Sequence, residues 1–378
     1  MSAGGPLLSP ANVQQVTEKP KIRRKSANRQ TKSVASGGCT IHIQKELKHT
    51  YKTATWMGDL YRSCPDVSLN SIIIPGSHDS ATDLMTKNSP YARFNKLHRV
   101  SQQLVYQWAK TQHHPVHTQL QDGIRYLDLR IEKTSSGWKT FHGLLSNCFI
   151  DVLDDIARFA NDHPREIVIV DFQHLVNFTT ADHHELVLYC IQHPLLGPRL
   201  AGTQFTAEST FRDFWAVDKN VILLYTEGNA QFPHLFWHRR QTIDNPWHNT
   251  PKAHILQTRL LEGVKTRTAG KFYVSQLVLT PDLYRVISGL FSGMSSLFTL
   301  SVPSITKVIE GGFLTELDYT AKQAGQSMNV VIVDFYEHSN FVLSCLRLNT
   351  INTLSRQSTG GQTTSVSAIS SQQQSTSF

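Results

Sequence analysis

The chain has 378 residues, 40% of them hydrophobic and 17% charged, with a formal net charge of +8. That is enough for one large α/β domain with tails. The charge sits in residues 1–48, where nine Lys or Arg face only Glu18 and Glu46, while residues 51–378 carry 28 basic against 27 acidic side chains. A near-neutral body is not expected to bind nucleic acid.

Residues 1–48 are polar and basic and are read as a disordered tail. Residues 353–378, rich in Ser, Thr and Gln, are read as a second, leaving a folded body over 50–352. The Lys19–Lys32 stretch is a candidate contact for anionic lipid. Cys39, Cys64, Cys148, Cys190 and Cys345 are odd in number and contain no C-x-x-C pair, which fits reduced thiols in a cytoplasmic chain. Neither a secretory leader nor a lipidation box is expected. Val286–Pro303 is uncharged but too rich in Ser, Gly, Thr and Pro for a membrane span. Its Leu290, Phe291, Leu297 and Phe298 are candidate lipid contacts on an otherwise ordinary rim helix and loop.

In chain order, the body alternates short apolar runs with helix-period segments. Strands are predicted at Ser71–Pro75, Ile124–Ile131, Trp138–Phe141, Glu166–Phe172, Val221–Tyr225, Phe272–Leu279 and Val330–Phe335. Helices are predicted at Phe149–Asn161, Asp182–His193, Ala253–Thr266, largely over Ile305–Gln323, and at Phe341–Leu348. About seven strands alternating with helices predict a parallel sheet, doubly wound or closed into a barrel. Chemically useful residues stand in or after several strands: His78 and Asp79, Asp128 and Arg130, His142, Gln173, and Asp334. Convergence of such groups from strand ends favours the β/α barrel.

Cleavage of a phosphodiester needs a base for the nucleophile and an acid for the leaving alkoxide. Imidazole suits both near neutral pH, which makes His78 and His142 the candidate pair. Asp334, an acid in an apolar strand, is a candidate to orient a histidine, or else a loop cap. Arg130 is a candidate cation for phosphoryl oxygens, with Asp128 two residues earlier on the same face, or else half of an internal ion pair. The other histidines, including His113–His114 and His183–His184, read as surface residues. Walker, H-E-x-x-H and G-x-S-x-G motifs are absent from the sequence.

The blocks IPGSHDS (74–80), GIRYLDLRI (123–131), FHG (141–143) and VVIVDF (330–335) resemble the X domain of phosphatidylinositol-specific phospholipase C. The likeness extends over about residues 52–350. Within that family the chain looks most similar to the small PI-PLC X-domain-containing proteins, whose SQLVLTP (275–281) and PWHNT (246–250) stretches it shares. The resemblance implies an irregular or incomplete TIM (β/α) barrel and cleavage of phosphatidylinositol on the glycerol side of phosphorus. It casts His78 as base on the inositol 2-hydroxyl, His142 as acid, Asp334 as the orienter of His78, and Asp79 as support for the acid or the phosphate. Arg130 and Asp79 match the bacterial pattern rather than the calcium-dependent one, which implies catalysis without a metal or other cofactor. Gln173, with Asp128 and Tyr225, is placed at the substrate wall, but Gln173 replaces the family's charged residue. The end of VILLY (Tyr225-Thr226-Glu227) lacks the family's basic headgroup contacts. The expected partner is thus a phospholipid at a membrane surface. The alternatives are a lipid-binding scaffold with little or no turnover, or a phosphodiesterase for another headgroup. A glycerophosphodiesterase-like metal site would need Glu-x-Asp where the chain reads Asp128-Leu129-Arg130.

Overall fold

The computed structural model describes residues 52–93, 101–226, 232, 234–282, 286 and 296–370. The basic tail, Glu227, Leu290 and Phe291 lie outside them.

Among the described residues, ten strands make up one sheet: β1 Ile74–Ser77, β2 Tyr126–Thr134, β3 Gly137–His142, β4 Leu144–Cys148, β5 Val168–Val176, β6 Val221–Tyr225, β7 Trp237–His238, β8 Ile243–Asp244, β9 Phe272–Gln276 and β10 Val330–Val333. Eight of them follow the order β7-β6-β5-β2-β1-β10-β9-β8, parallel at every step. The sheet curls until its two edge strands are joined by a single helical segment, Arg239–Thr242. Across that seam the Trp237 and Phe272 rings stack at 6.0 Å. The fold is therefore an incomplete (β/α) barrel. Fully buried apolar runs such as Val221–Tyr225 and Val330–Val333 suit strands covered on both faces.

The structure revises some boundaries. The strand expected at Trp138–Phe141 is not a barrel stave: β3 pairs antiparallel with β2 and with β4, which the sequence reading lacks. The region around Ile305–Gln323 is two helices, Leu297–Glu310 and Phe313–Gln323, whose inward residues Ile305, Ile309, Phe313, Leu314 and Leu317 join the core. No single helix among the described residues is long and apolar enough to cross a membrane. The last helix runs from Phe341 to Ser370, across the boundary drawn at residue 353.

Gly76 shows how tightly β1 is inserted. A Cβ there would lie 2.9 Å from both Ile332 Cγ2 and Tyr126 Cδ1, so only glycine lets the central strand close on its two neighbours.

Below the barrel, fully buried Arg125 ties several segments together. Its Nη2 lies 2.7 Å from Glu166 Oε2, and its guanidinium donates to the carbonyls of Leu120, Ile124, Thr53 and Ala54. Glu166 in turn accepts from the backbone N–H groups of Met57 and Gly58, in the first turn of the helix Trp56–Tyr61. Glu166→Gln keeps an acceptor but removes the counter-charge. It should cost about 3–5 kcal/mol in urea unfolding, and an unchanged midpoint would show that Arg125 is satisfied by carbonyls alone.

Candidate active site

The chain after β1 enters a left-handed turn at Asp79 (φ 41°), a conformation that Asp tolerates better than most residues. Gln112 Nε2 donates to the carbonyl of His78 at 2.9 Å, and Thr111 Oγ1 donates to that of Asp79 at 3.0 Å. The two side chains are thus fixed from behind. His142 closes β3, and Gly143 (φ 77°) makes the turn into β4.

The five groups expected to do chemistry come together. The His78 and His142 ring centroids are 5.9 Å apart. Asp79 Oδ2 lies between the imidazoles, 3.2 Å from His78 Nε2 and 3.3 Å from His142 Nδ1. Asp334 Oδ1 is 2.7 Å from His78 Nδ1. Arg130 places Nε 2.7 Å from Asp79 Oδ1 and Nη2 3.3 Å from Asp128 Oδ2. That Nη2 is also 3.2 Å from His78 Nε2.

These contacts give His78 a partner in either protonation state. A carboxylate fixes the proton on Nδ1. When Nε2 is protonated its charge faces Asp79 Oδ2 at 3.2 Å, and when bare it accepts from Arg130, which can only donate. Burial opposes charge on this ring, but the carboxylates of Asp79 and Asp334 outweigh it and raise its pKa to about 9. His142 Nδ1 lies 2.8 Å from the Ala109 carbonyl, which can only accept. The exchangeable site of His142 is therefore Nε2. Burial pushes the His142 pKa below its ordinary value, against Asp79, and the Arg130 and His78 charges push it further. An anionic phosphodiester beside the ring would act in the opposite sense. The folded-state pKa of His78 exceeds its ordinary 6.5, so its stabilising contribution is complete below that value and fades as the pH rises through about 9.

His78, Arg130 and His142 line a cavity of about 490 Å³. Asp79, Asp128 and Asp334 form the layer directly behind it. His78, Asp79 and Asp128 also lie close enough to share a cation. The guanidinium of Arg130 already pairs with both carboxylates, so the donor set fits an internal cation better than a bound Ca²⁺.

The wall beyond the histidines differs in part from expectation. Gln173 does line the cavity, and so does its neighbour His174. Consecutive strand residues normally face opposite ways. Here Leu129 pairs with Phe172 but Arg130 with His174, so Gln173 is the extra residue of a bulge that turns both side chains toward one space. Tyr225 is not at the wall. Its ring packs between Phe172 and Phe236, and its hydroxyl meets His183 Nδ1 at 2.7 Å. Asp128 is fully buried and acts through Arg130 rather than by direct contact.

A basic side chain that the sequence reading did not place also reaches the cavity. Arg239, at the barrel seam, lines the cavity with its Nε 2.6 Å from Asp171 Oδ1. Asp171 also accepts from Tyr126 Oη at 2.6 Å. Trp108, Asn245, Trp247 and Gln276 complete much of the wall. In the sequence Arg239 stands in a basic H-R-R run at 238–240 that matches no motif.

No protein-family model matches the chain. It is similar to PI-PLC X domain-containing protein 3 of Mus musculus, with 29% identity over 317 residues, 80% of this chain and 95% of that protein. With PI-PLC X domain-containing protein 2 of Homo sapiens it shares 30% identity over 256 residues, 64% of this chain and 83% of that protein. Among solved structures, a phosphatidylinositol-specific phospholipase C from Staphylococcus aureus superposes with a TM-score of 0.57 at 17% identity, covering 79% of this chain and 98% of that one. The Listeria monocytogenes enzyme of the same description gives 0.51 at 16% identity, with 79% and 98% covered. The barrel is thus of the bacterial phospholipase C type, and the chain belongs to the PI-PLC X domain-containing protein family.

Proposed function

We propose that this protein is a phosphodiesterase of the phosphatidylinositol-specific phospholipase C kind, cleaving the glycerol-side P–O bond of an inositol phospholipid without Ca²⁺. The observation that carries the reading is the pair of imidazoles 5.9 Å apart on the wall of one cavity, with a guanidinium beside them. His78 Nε2 takes the proton of the headgroup 2-hydroxyl as its oxygen attacks phosphorus. The bond to the glycerol oxygen breaks, and His142 Nε2 gives that oxygen its proton. A cyclic phosphodiester and diacylglycerol leave. Arg130 moves from His78 Nε2 to the phosphoryl oxygens as charge grows on them. Arg239 and Gln173 offer donors for headgroup hydroxyls. The bilayer surface is the proposed place of encounter, reached from the cytoplasm. Docking of the basic tail on anionic lipid is part of that proposal, and vesicle binding that is equal with and without residues 1–48 would remove it.

The testing assay uses purified protein, EDTA, and vesicles of phosphatidylinositol or phosphatidylcholine. Diacylglycerol release from the first and not the second is expected. Turnover that appears only on adding Ca²⁺, or that ignores the headgroup, would overturn the reading.

The pH profile follows from the two shifts. The productive form has His78 neutral and His142 charged, so kcat/KM should be bell-shaped, with an acid limb below 6.5 and an alkaline limb near pH 9. Asp334→Asn removes a charge that raises His78 and should move the alkaline limb to lower pH. An unmoved limb would take His78 out of the titration.

A further inference from the structure

We propose that His113, Glu337 and His338 form a divalent-cation site suited to Zn²⁺, separate from the catalytic groups, which clamps the loop carrying Asp334 to the segment carrying Thr111 and Gln112. Three ligand atoms face one point. His113 Nδ1 is 2.8 Å from Glu337 Oε1, His338 Nε2 is 3.3 Å from the same oxygen, and the two nitrogens are 3.4 Å apart. Zinc bonds of about 2.0–2.1 Å in a tetrahedron place neighbouring ligand atoms about 3.3–3.4 Å apart. Two of the three separations already have that length, and a small outward shift of Glu337 supplies the third. Two imidazoles and one carboxylate are a donor set that zinc accepts while keeping a fourth position for water. Glu337 Oε2 is buried without a hydrogen-bond partner, so the carboxylate has unused capacity on the same group.

Access and surroundings fit as well. The His113 and His338 side chains are 40% and 38% exposed, which leaves an entry path from solvent. On the other side Phe298 packs against both rings, at 5.4 and 4.9 Å, and Phe335 packs against His113 at 4.8 Å. An apolar wall on one side strengthens ligand–metal electrostatics. The alternative is a plain hydrogen-bonded cluster in which His113 donates to Glu337 and His338 Nε2 meets His113 Nδ1.

The position gives the site its consequence. Glu337 lies three residues after Asp334, the acceptor on His78. His113 follows Gln112, which donates to the carbonyls of His78 and Val333 at 2.9 and 3.0 Å. Phe335 N–H donates to Thr111 O at 2.8 Å, so backbone contact already joins the two segments. A metal would join them a second time, through side chains. It would stiffen the mount of Asp334 without touching the reacting atoms. Asp334 has its own contacts with His78 and with Ser301, so turnover should persist in chelator.

The test titrates Zn²⁺ into metal-free full-length protein by calorimetry, with melting temperature and the visible spectrum of a Co²⁺ adduct as further readouts. Wild type and His78→Ala should each bind one equivalent, gain melting temperature, and give a tetrahedral cobalt spectrum. His338→Ala and Glu337→Gln should melt like metal-free wild type, lose more than about tenfold in affinity, and lose the thermal gain. Absence of a stoichiometric high-affinity event in wild type would overturn the proposal. So would binding that survives both of these variants but vanishes in His78→Ala, which would assign the ion to the catalytic cluster.

Discussion

His78→Ala and His142→Ala are each expected to lower phosphatidylinositol turnover by about 10²–10⁴-fold while leaving the protein folded. Neither ring is a pillar of the core: His142 is partly exposed, and His78 sits at the barrel mouth against the cavity. On the proposed reading their value is chemical, because each moves one proton of the same displacement. The double variant should therefore lose far less than the product of the single effects, since groups acting as a unit are not additive. Initial rates on vesicles, with melting temperatures as controls, check this. A single variant that keeps more than a tenth of wild-type turnover would contradict the assignment.

Arg130→Met should have two effects that separate. The guanidinium offsets the charges of Asp79 and Asp128, both buried, and its loss strands them beside His78. Removing one side of such a cluster costs about 3–5 kcal/mol of stability. The same change removes the cation proposed to meet the phosphoryl oxygens, at an expected cost of about 10²–10³ in turnover. Adding Asp79→Asn should recover part of the stability and none of the activity. Arg130→Lys keeps the charge but cannot reach both carboxylates as a planar fork does. Equal recovery of both properties by Lys would show that a point charge suffices.

The sequence makes the catalytic cluster legible because its members sit in compact motifs. His78 and Asp79 are adjacent, and Asp128 and Arg130 share one strand face. The substrate wall is harder to read. An all-apolar strand such as VILLY hides which residues point inward, so Tyr225 is assigned to the wrong face. The Gln173 bulge breaks the period-two rule that would have left His174 outside. Arg239 depends on how the barrel fails to close. β7 and β8 are two residues each, too short for any periodic signal, yet the helical segment between them delivers the guanidinium. The pairing of His113 with Glu337 and His338 spans more than two hundred residues and has no local mark at all.

The division of labour between the two imidazoles is tested most directly by changing the leaving group. An inositol phosphodiester whose aryl alcohol departs as a stable anion needs no acid. On that substrate His142→Ala should regain most of the rate it loses on phosphatidylinositol, while His78→Ala should stay impaired, because the attacking hydroxyl still needs its base. Equal impairment of both variants on both substrates, or rescue of His78→Ala instead, would contradict the account.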